Sequence, residues 1–558
     1  MIRARRAVLA ALLAVGAIVL SACSGLPTSG PVYPGLVAGD APEIPDFSFQ
    51  PDRPQPGASP EQIVEGFVAA ATSPAGEWAT ASLFLAPEFR TEWAPEAGVI
   101  VDVPGSRRFS VVTDGVIQME TTTTADVDAS GAYYSAEQGE AALSYELAEQ
   151  EDGEWRITAA PDGIVLDADA FETVYRPYSV MYFDPTWSFL APDVRWYPAR
   201  TNIATRIAQA IIEGSPSPWL ASSVVSAVPE GVGIARVTSE QGVAQVDLTG
   251  NAVEADPVTL GRLLRQLQAS LMGTGVAGVE LAVDGAPLAV EPAQAQSTAI
   301  DPRALALTAS GFGFVTDDEL EPIPGLSDAI EGLGTTAIAA GRGEDVAAVA
   351  VATGGVVRVD AAAEITTVDT RAGLADPVID PAGTIWTVPR DQPSALRAVP
   401  AEGDPVEITG AFPGVTRVEA LQVSRDGTRM AAIVTQGGRD AIVVAGIVRD
   451  AEGRPVSLGE TRRVTRLEAS GIDIAWLDEQ TVGVVVGAGQ TSAIVSHTVG
   501  GVGTVLAAPS DPIAVAAGAT STSARLLTAS GELYVRRGSA WQIVTGDVAV
   551  LASQMGSG

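Results

Sequence analysis

The spacing of apolar residues changes character several times along this chain, and each change marks a different kind of element. Ala7 to Val19 is an unbroken apolar run behind Arg3, Arg5 and Arg6, and it stops at Leu20-Ser21-Ala22-Cys23. No periodicity survives from 24 to 58, where prolines and glycines recur every few residues. At Ser59-Pro60-Glu61-Gln62 a helix start appears, with an N-cap serine, proline at the first helical position and glutamine at N3. Ile63, Val64, Phe67, Val68 and Ala71 then share one helical face. A second short helix is predicted through Ala81, Phe84 and Leu85. After Pro95 the period drops to two. Strands are predicted over 99–101, 110–112, 115–119, 141–146 and, as the last, 154–157.

Helices followed by an antiparallel sheet give an α+β order. This stretch, 59–172, resembles the cone-shaped NTF2-like fold. A filled apolar core is expected inside the cone, because no convergent polar group is evident.

The stretch 173–295 alternates periods. Strands are predicted from Met181 and over 190–196, a helix from Asn202 to Glu213, a strand over 243–248, a helix from Pro257 to Met272 and a strand over 279–283. Four separated motifs sit in that order: Ile211-Ile212-Glu213-Gly214-Ser215-Pro216, Val228-Pro229-Glu230-Gly231, Val246-Asp247-Leu248 and Val283-Asp284-Gly285. The arrangement resembles the GerMN domain of spore-germination and lipoprotein families, a binding or assembly module without accepted catalytic residues. Gly273-Thr274-Gly275-Val276-Ala277-Gly278 spells G-x-G-x-x-G, but here a helix precedes and a strand follows. A dinucleotide site needs the reverse polarity, so the run is read as a helix-ending loop.

From about residue 300 short β-rich runs repeat at roughly 40 residues, the period of a propeller blade. Leu305-Ala306-Leu307-Thr308-Ala309-Ser310-Gly311 matches Arg525-Leu526-Leu527-Thr528-Ala529-Ser530-Gly531, and other units begin near Ala337, Val378, Glu419 and Gly471. The runs Asp380-Pro381-Ala382-Gly383-Thr384-Ile385-Trp386 and Val423-Ser424-Arg425-Asp426-Gly427-Thr428-Arg429 each read as the strand, Asp-Gly-type turn, strand signature of a blade. The unit near 304–325 lacks an innermost strand, and 548–554 is a spare one. Pairing them closes a ring and removes free edges. About six blades are expected over 300–558, with five or seven left open. The fold class is therefore multidomain: an NTF2-like α+β domain, a GerMN-like α+β domain and a β-propeller.

Composition narrows the chemistry. The formal charge is −35, and −38 once the three arginines of the first 22 residues are removed. So acidic a surface repels nucleic-acid phosphates and anionic headgroups alike, so no nucleic-acid partner is expected. The sequence contains no lysine, which excludes Schiff-base, P-loop and Ser-Lys chemistry. His497 is the single histidine, so no two-histidine metal site exists. It lies in an alternating run read as a strand. No catalytic residue, metal or cofactor is assigned. Cys23 is the single cysteine, so no intramolecular disulfide forms.

A cationic start, a short apolar core and small residues before a cysteine resemble the lipobox of bacterial lipoproteins. The resemblance implies that 1–22 is a signal peptide and that Cys23 carries S-diacylglycerol and an N-acyl chain. The Pro-rich residues 23–58 would then be a tether. At about 3.1 Å per residue where extended, it reaches up to roughly 100 Å. The whole order resembles the actinobacterial lipoprotein LpqB family. That resemblance implies a lipid-anchored protein on the extracytoplasmic face of the cell membrane, held there through the lipid on Cys23. It further implies an accessory of the MtrAB-type two-component system that contacts the extracellular domain of an MtrB-like sensor histidine kinase, in envelope homeostasis and division. Two rivals stay open: an envelope enzyme acting on cell-wall glycan through carboxylates in the propeller funnel, and a solute-capture protein using the cone.

Overall fold

Ser59 begins the first helix as its neighbours dictate. In the computed structural model, which describes residues 51–199, 202–316, 319–487 and 491–556, the Ser59 hydroxyl accepts from the Gln62 amide at 3.3 Å. The Gln62 side chain accepts from the Ser59 amide at 2.9 Å. The helix Pro60–Ala70 buries Ile63, Val64, Phe67 and Val68 against a sheet. Strands follow in spatial order Trp155–Ala159, Tyr133–Glu149, Val116–Asp128, Gly98–Asp102 and Ile164–Asp167, with Arg108–Thr113 also on the central strand. Register shifts at Val101/Asp102 and Thr123/Ala125 insert bulges, which bend a sheet. Phe67, Trp93, Tyr145, Ile117 and Met119 fill its concave side.

Two expectations fail here. The second helix is only Ala79–Ser82, because the chain at Leu85 leaves helical geometry to bridge Ile157 in parallel. The strand at 155–159 is not the last: Ile164–Asp167 pairs in parallel with Gly98–Asp102. Its first three residues are buried, so it shows no alternation to read.

The GerMN-like stretch opens with a hairpin, Tyr175–Phe183 and Leu190–Pro198. Its sheet runs Ala286–Pro287, Gly278–Val283, Val243–Leu248, Ile234–Glu240. The helix Pro257–Leu271, capped by Asp256, crosses over between the two parallel strands. Ile234–Glu240 was not expected, because as an exposed edge it carries mostly polar residues. Asp247, buried at its strand end, accepts from Arg236 Nε and the Gly285 amide, both at 3.1 Å, and so ties the sheet's turns together. Gly273 and Gly275 take φ of +85° and +84° in the loop after the helix, where the G-x-G-x-x-G run falls.

From residue 304 onward the described residues form six sheets of four or five strands. Blade 1 is Ala304–Thr308, Gly311–Thr316 and Glu319–Pro322, and blade 2 spans 335–369. Blade 3 spans 378–407, blade 4 spans 417–466, blade 5 spans 471–507 and blade 6 spans 512–545. Val548–Leu551 enters blade 1 as its innermost strand, with Ala306 opposite Leu551 and Leu307 opposite Val550. Ser553–Gln554 then continues in parallel beside the first strand of blade 2. The innermost strands neighbour one another around the whole circle, so the ring is closed by the C-terminal strand. The 305/525 match is a match of second strands, which is why the first of the pair had no inner neighbour in sequence.

Hydrophobic packing does not stop at these modules. One core joins Ile207, Leu263, Leu267 and Tyr182 of the GerMN-like part to Ile433, Val444, Trp476 and Val484 of blades 4 and 5. The segment after the GerMN-like sheet lies across the helix Pro257–Leu271. The Ala293 amide donates to the Gly261 carbonyl at 2.9 Å, and a Cβ at Gly261 would sit 2.6 Å from the Glu291 carbonyl oxygen.

Two outcomes follow from this packing. Gly261→Ala gains about 1 kcal/mol of helix propensity in isolation, yet here it is expected to lower the urea midpoint; a raised midpoint would contradict the packing. Removing residues 548–558 exposes the edge of Ala304–Thr308. It is expected to broaden unfolding and produce aggregates on size-exclusion chromatography, whereas a sharp, monomeric transition would argue against closure.

Candidate docking face at the open end of the propeller

In an antiparallel blade the turns after the first and third strands lie at one end of the propeller. The turn after the second strand and the connection to the next blade lie at the other. Contacts with the upstream modules come from the first set and from the outer edge of blade 4, where Arg462 donates to the Tyr133 carbonyl. Gln480 accepts from Ser179 Oγ at 3.0 Å, Gly500 O accepts from Trp196 Nε1 at 2.9 Å, and Glu479 accepts from Thr298 Oγ1 at 2.8 Å. Arg342 bonds Gln296, and Arg525 bonds the Pro302 carbonyl. This end of the channel also carries Arg425, buried and donating to the Trp476 and Leu477 carbonyls at 3.1 and 3.3 Å. It is a covered end.

Among the described residues no upstream module covers the opposite end, the open end, which carries an acidic mouth. Asp376 precedes the inner strand of blade 3, Glu419 lies on that of blade 4 and Asp473 on that of blade 5. Arg390 sits between the first two, 3.6 Å from Asp376 and 3.4 Å from Glu419, while Arg417 Nε reaches Glu419 at 2.9 Å and its Nη1 reaches Asp391. Asp473 accepts from the Val515 amide of blade 6 at 2.8 Å. It is half-buried. Desolvation pushes its carboxyl up to about 7. The Val515 amide opposes this, and the negative charge of Asp376 adds to it. Asp376 is also raised, by desolvation first and then in part by Glu419, with Arg390 acting against both.

Sequence reasoning missed this mouth. Its residues come from separate blades, and each alone is one of many acidic residues in β-rich loops. The run Glu419-Ala420-Leu421, with a carboxylate on an inner-strand position, was the only available signal. His497 is where it was expected, on the strand Ala493–Thr498. It is buried, its Nδ1 lies 3.1 Å from the Thr498 carbonyl, and desolvation holds its imidazole below its usual pKa and therefore neutral. The turns at Asp380 and Asp426 do form as read. Asp380 accepts from the Ala382 and Thr384 amides at 3.0 and 2.9 Å, and Asp426 accepts from the Thr428 amide at 2.9 Å. Among the described residues no cluster of His, Cys, Asp and Glu suits a metal. Cys23 and its flanks lie outside the described residues.

The architecture defines a class: a modular α+β protein whose propeller has one end covered by its own upstream domains and one end open. Residues 53–172 match the family described as "Lipoprotein LpqB, N-terminal domain", 179–289 match "Sporulation and spore germination" and 306–551 match "Lipoprotein LpqB beta-propeller domain". The chain belongs to the LpqB lipoprotein family. Proteins named lipoprotein LpqB match it at 28% identity in Mycolicibacterium smegmatis, over 83% of this chain and 84% of that one, and at 26% in Streptomyces avermitilis, over 86% of each. The Thermobifida fusca relative is 31% identical over 45% of this chain, and the match spans 42% of that relative's length. A chain of the nidogen/laminin complex aligns at 10% identity over 45% of this chain and 96% of that one, with a TM-score of 0.33, a likeness too low to carry an argument. The relatives' names mark a membrane-anchored lipoprotein, and among the described residues no helix is long and apolar enough to cross a membrane.

The titration of Asp473 has a direct consequence. An aspartate in an unfolded chain titrates near about 3.9, so between there and about 7 the folded form keeps a proton that the unfolded form has lost. Its contribution is therefore most favourable below pH 4 and fades as pH rises through 7. Asp473→Asn retains an acceptor for the Val515 amide. It is expected to match the wild type at pH 4 and to exceed it by on the order of 2 kcal/mol at pH 8 in urea unfolding. An equal gap at both pH values would contradict this account.

Proposed function

We propose that this protein is a non-enzymatic, lipid-anchored accessory on the extracytoplasmic face of the cell membrane. Its open propeller end docks the extracellular domain of an MtrB-like sensor histidine kinase of the MtrAB type, in envelope homeostasis and division. Cys23 is the acylation site, carrying S-diacylglycerol and an N-acyl chain, and two or more chains anchor stably. The observation that carries the reading is the asymmetry of the propeller: the upstream modules seal one end and leave the other free. The single histidine is buried in a strand of blade 5, so it offers no exposed base or metal ligand.

A second reading has one observation in its favour. Desolvation pushes the Asp473 carboxyl up to about 7 and the charge of Asp376 adds to it, so it keeps its proton as a general acid paired with a second carboxylate does. On that reading the wild-type protein releases sugars from cell-wall glycan and Asp473→Asn does not.

The accessory reading is tested by pull-down. A soluble form, residues 51–558, is expected to retain the sensor's extracellular domain, and no association at high micromolar concentration would sink it. Cys23→Ser is expected to move the protein from the membrane fraction to the medium.

A further inference from the structure

The open end is not uniform. Across blades 6 and 1, where the C-terminal strand enters the ring, lie two adjoining hollows of about 530 and 740 Å³ that share Ala529 and Ser530. Their floor and walls are small or apolar: Pro509, Ala529 and Ile513, the last 46% exposed at the start of an inner strand. Trp541 and Tyr534 form one flank. Trp541 Nε1 donates to the Ala507 carbonyl at 2.9 Å and Tyr534 OH donates to Glu532 at 3.2 Å, so both rings are held in place. Four carboxylates, Glu331, Asp511, Glu532 and Asp547, border the groove, and no arginine lines it.

We infer that this groove binds a basic, extended segment of a protein partner. The inference rests on the docking role proposed above and assigns it a place and a chemistry. Charge complementarity selects the occupant. A groove bordered by four carboxylates, in a chain of net charge −35, repels phosphate backbones and anionic headgroups and attracts arginine or lysine. Arginine also stacks on tryptophan and tyrosine faces, which makes the Trp541 and Tyr534 flank a second source of affinity. Two end-to-end hollows running from the outer strand of blade 6 to the helix Leu326–Glu331 suit several residues of extended chain better than one compact ligand. The acidic mouth around Asp376 and Glu419 is a poorer candidate, because Arg390 and Arg417 already occupy it.

The test uses the lipid-free mature protein immobilised on a sensor surface, with three probes: a dodecapeptide alternating arginine and alanine, its glutamate counterpart, and the sensor's extracellular domain. Two variants are compared, Glu532→Gln with Asp547→Asn, and Trp541→Leu. Both are accepted only if their thermal midpoints match the wild type. The arginine peptide is expected to bind and the glutamate peptide not. Neutralising two carboxylates should weaken the arginine peptide about tenfold, with a similar loss on going from low to high salt. Binding of either peptide that the variants leave unchanged overturns the inference. If the extracellular domain binds wild type and variants equally, the groove assignment falls and the accessory reading stands. If the variants weaken the arginine peptide but the extracellular domain binds no form, the groove stands and the accessory reading falls.

Discussion

Nine consecutive buried residues, Leu190–Pro198, hold the modules of this protein to one another. Trp196 packs with Phe171 and Tyr133 in the core of the cone, and its indole donates to Gly500 of blade 5. Leu190, Ala191 and Tyr197 belong to the core shared by the GerMN-like helices and blades 4 and 5. Between them Asp193 and Arg195 pair at 2.7 Å. Asp193 also accepts from the Ser217 amide and hydroxyl, and Arg195 donates to the Ser130 and Ser215 carbonyls. Losing one member of such a pair strands a buried charge, at about 3–5 kcal/mol. The strand can be buried on all sides because its polar groups are satisfied there.

The same solution recurs at several of the joints between blades, with arginine as the cation. Arg358 of blade 2 donates to Gly383 O of blade 3 at 2.9 Å, and Arg449 of blade 4 pairs with Asp380 of blade 3 at 2.7 Å. Arg425 of blade 4 reaches the blade 5 carbonyls, and the buried Arg429 pairs with Asp426 while its guanidinium lies 4.8 Å from the Trp476 ring centre. A guanidinium offers five donors in a flat fork, so one side chain can join a carboxylate and two carbonyls. A lysine could not make these joints. The absence of lysine in the sequence thus coincides with a propeller stapled by arginine, while the carboxylates left over give the surface its negative field.

That division of labour separates the two ends of the propeller. Arginine pairs and the linker seal the end facing the upstream modules, and at the other end the hollows across blades 6 and 1 are bordered by carboxylates over small and aromatic residues. The uncovered end of the propeller therefore faces away from the GerMN-like domain.

The sequence by itself determined the local elements whose cause is local. Ser59 and Gln62 name their own helix start, the Asp380 and Asp426 turns form from their own side chains, and the spare strand at 548–554 announced ring closure because propeller edges must pair. The reading of Cys23 as an acylation site rests likewise on residues adjacent in the chain, and it lies outside the described residues. What it could not determine were features whose energy comes from distant partners. Leu85 leaves its helix because Ile157 offers a bridge, Ile164–Asp167 is a strand only because Gly98–Asp102 lies beside it, and Asp473 is held near pH 7 by blades far from it in sequence. The fusion of the modules into a shared core, and with it which end of the propeller stays open, was decided by tertiary structure alone. Burial against another module leaves no period in the segment being buried.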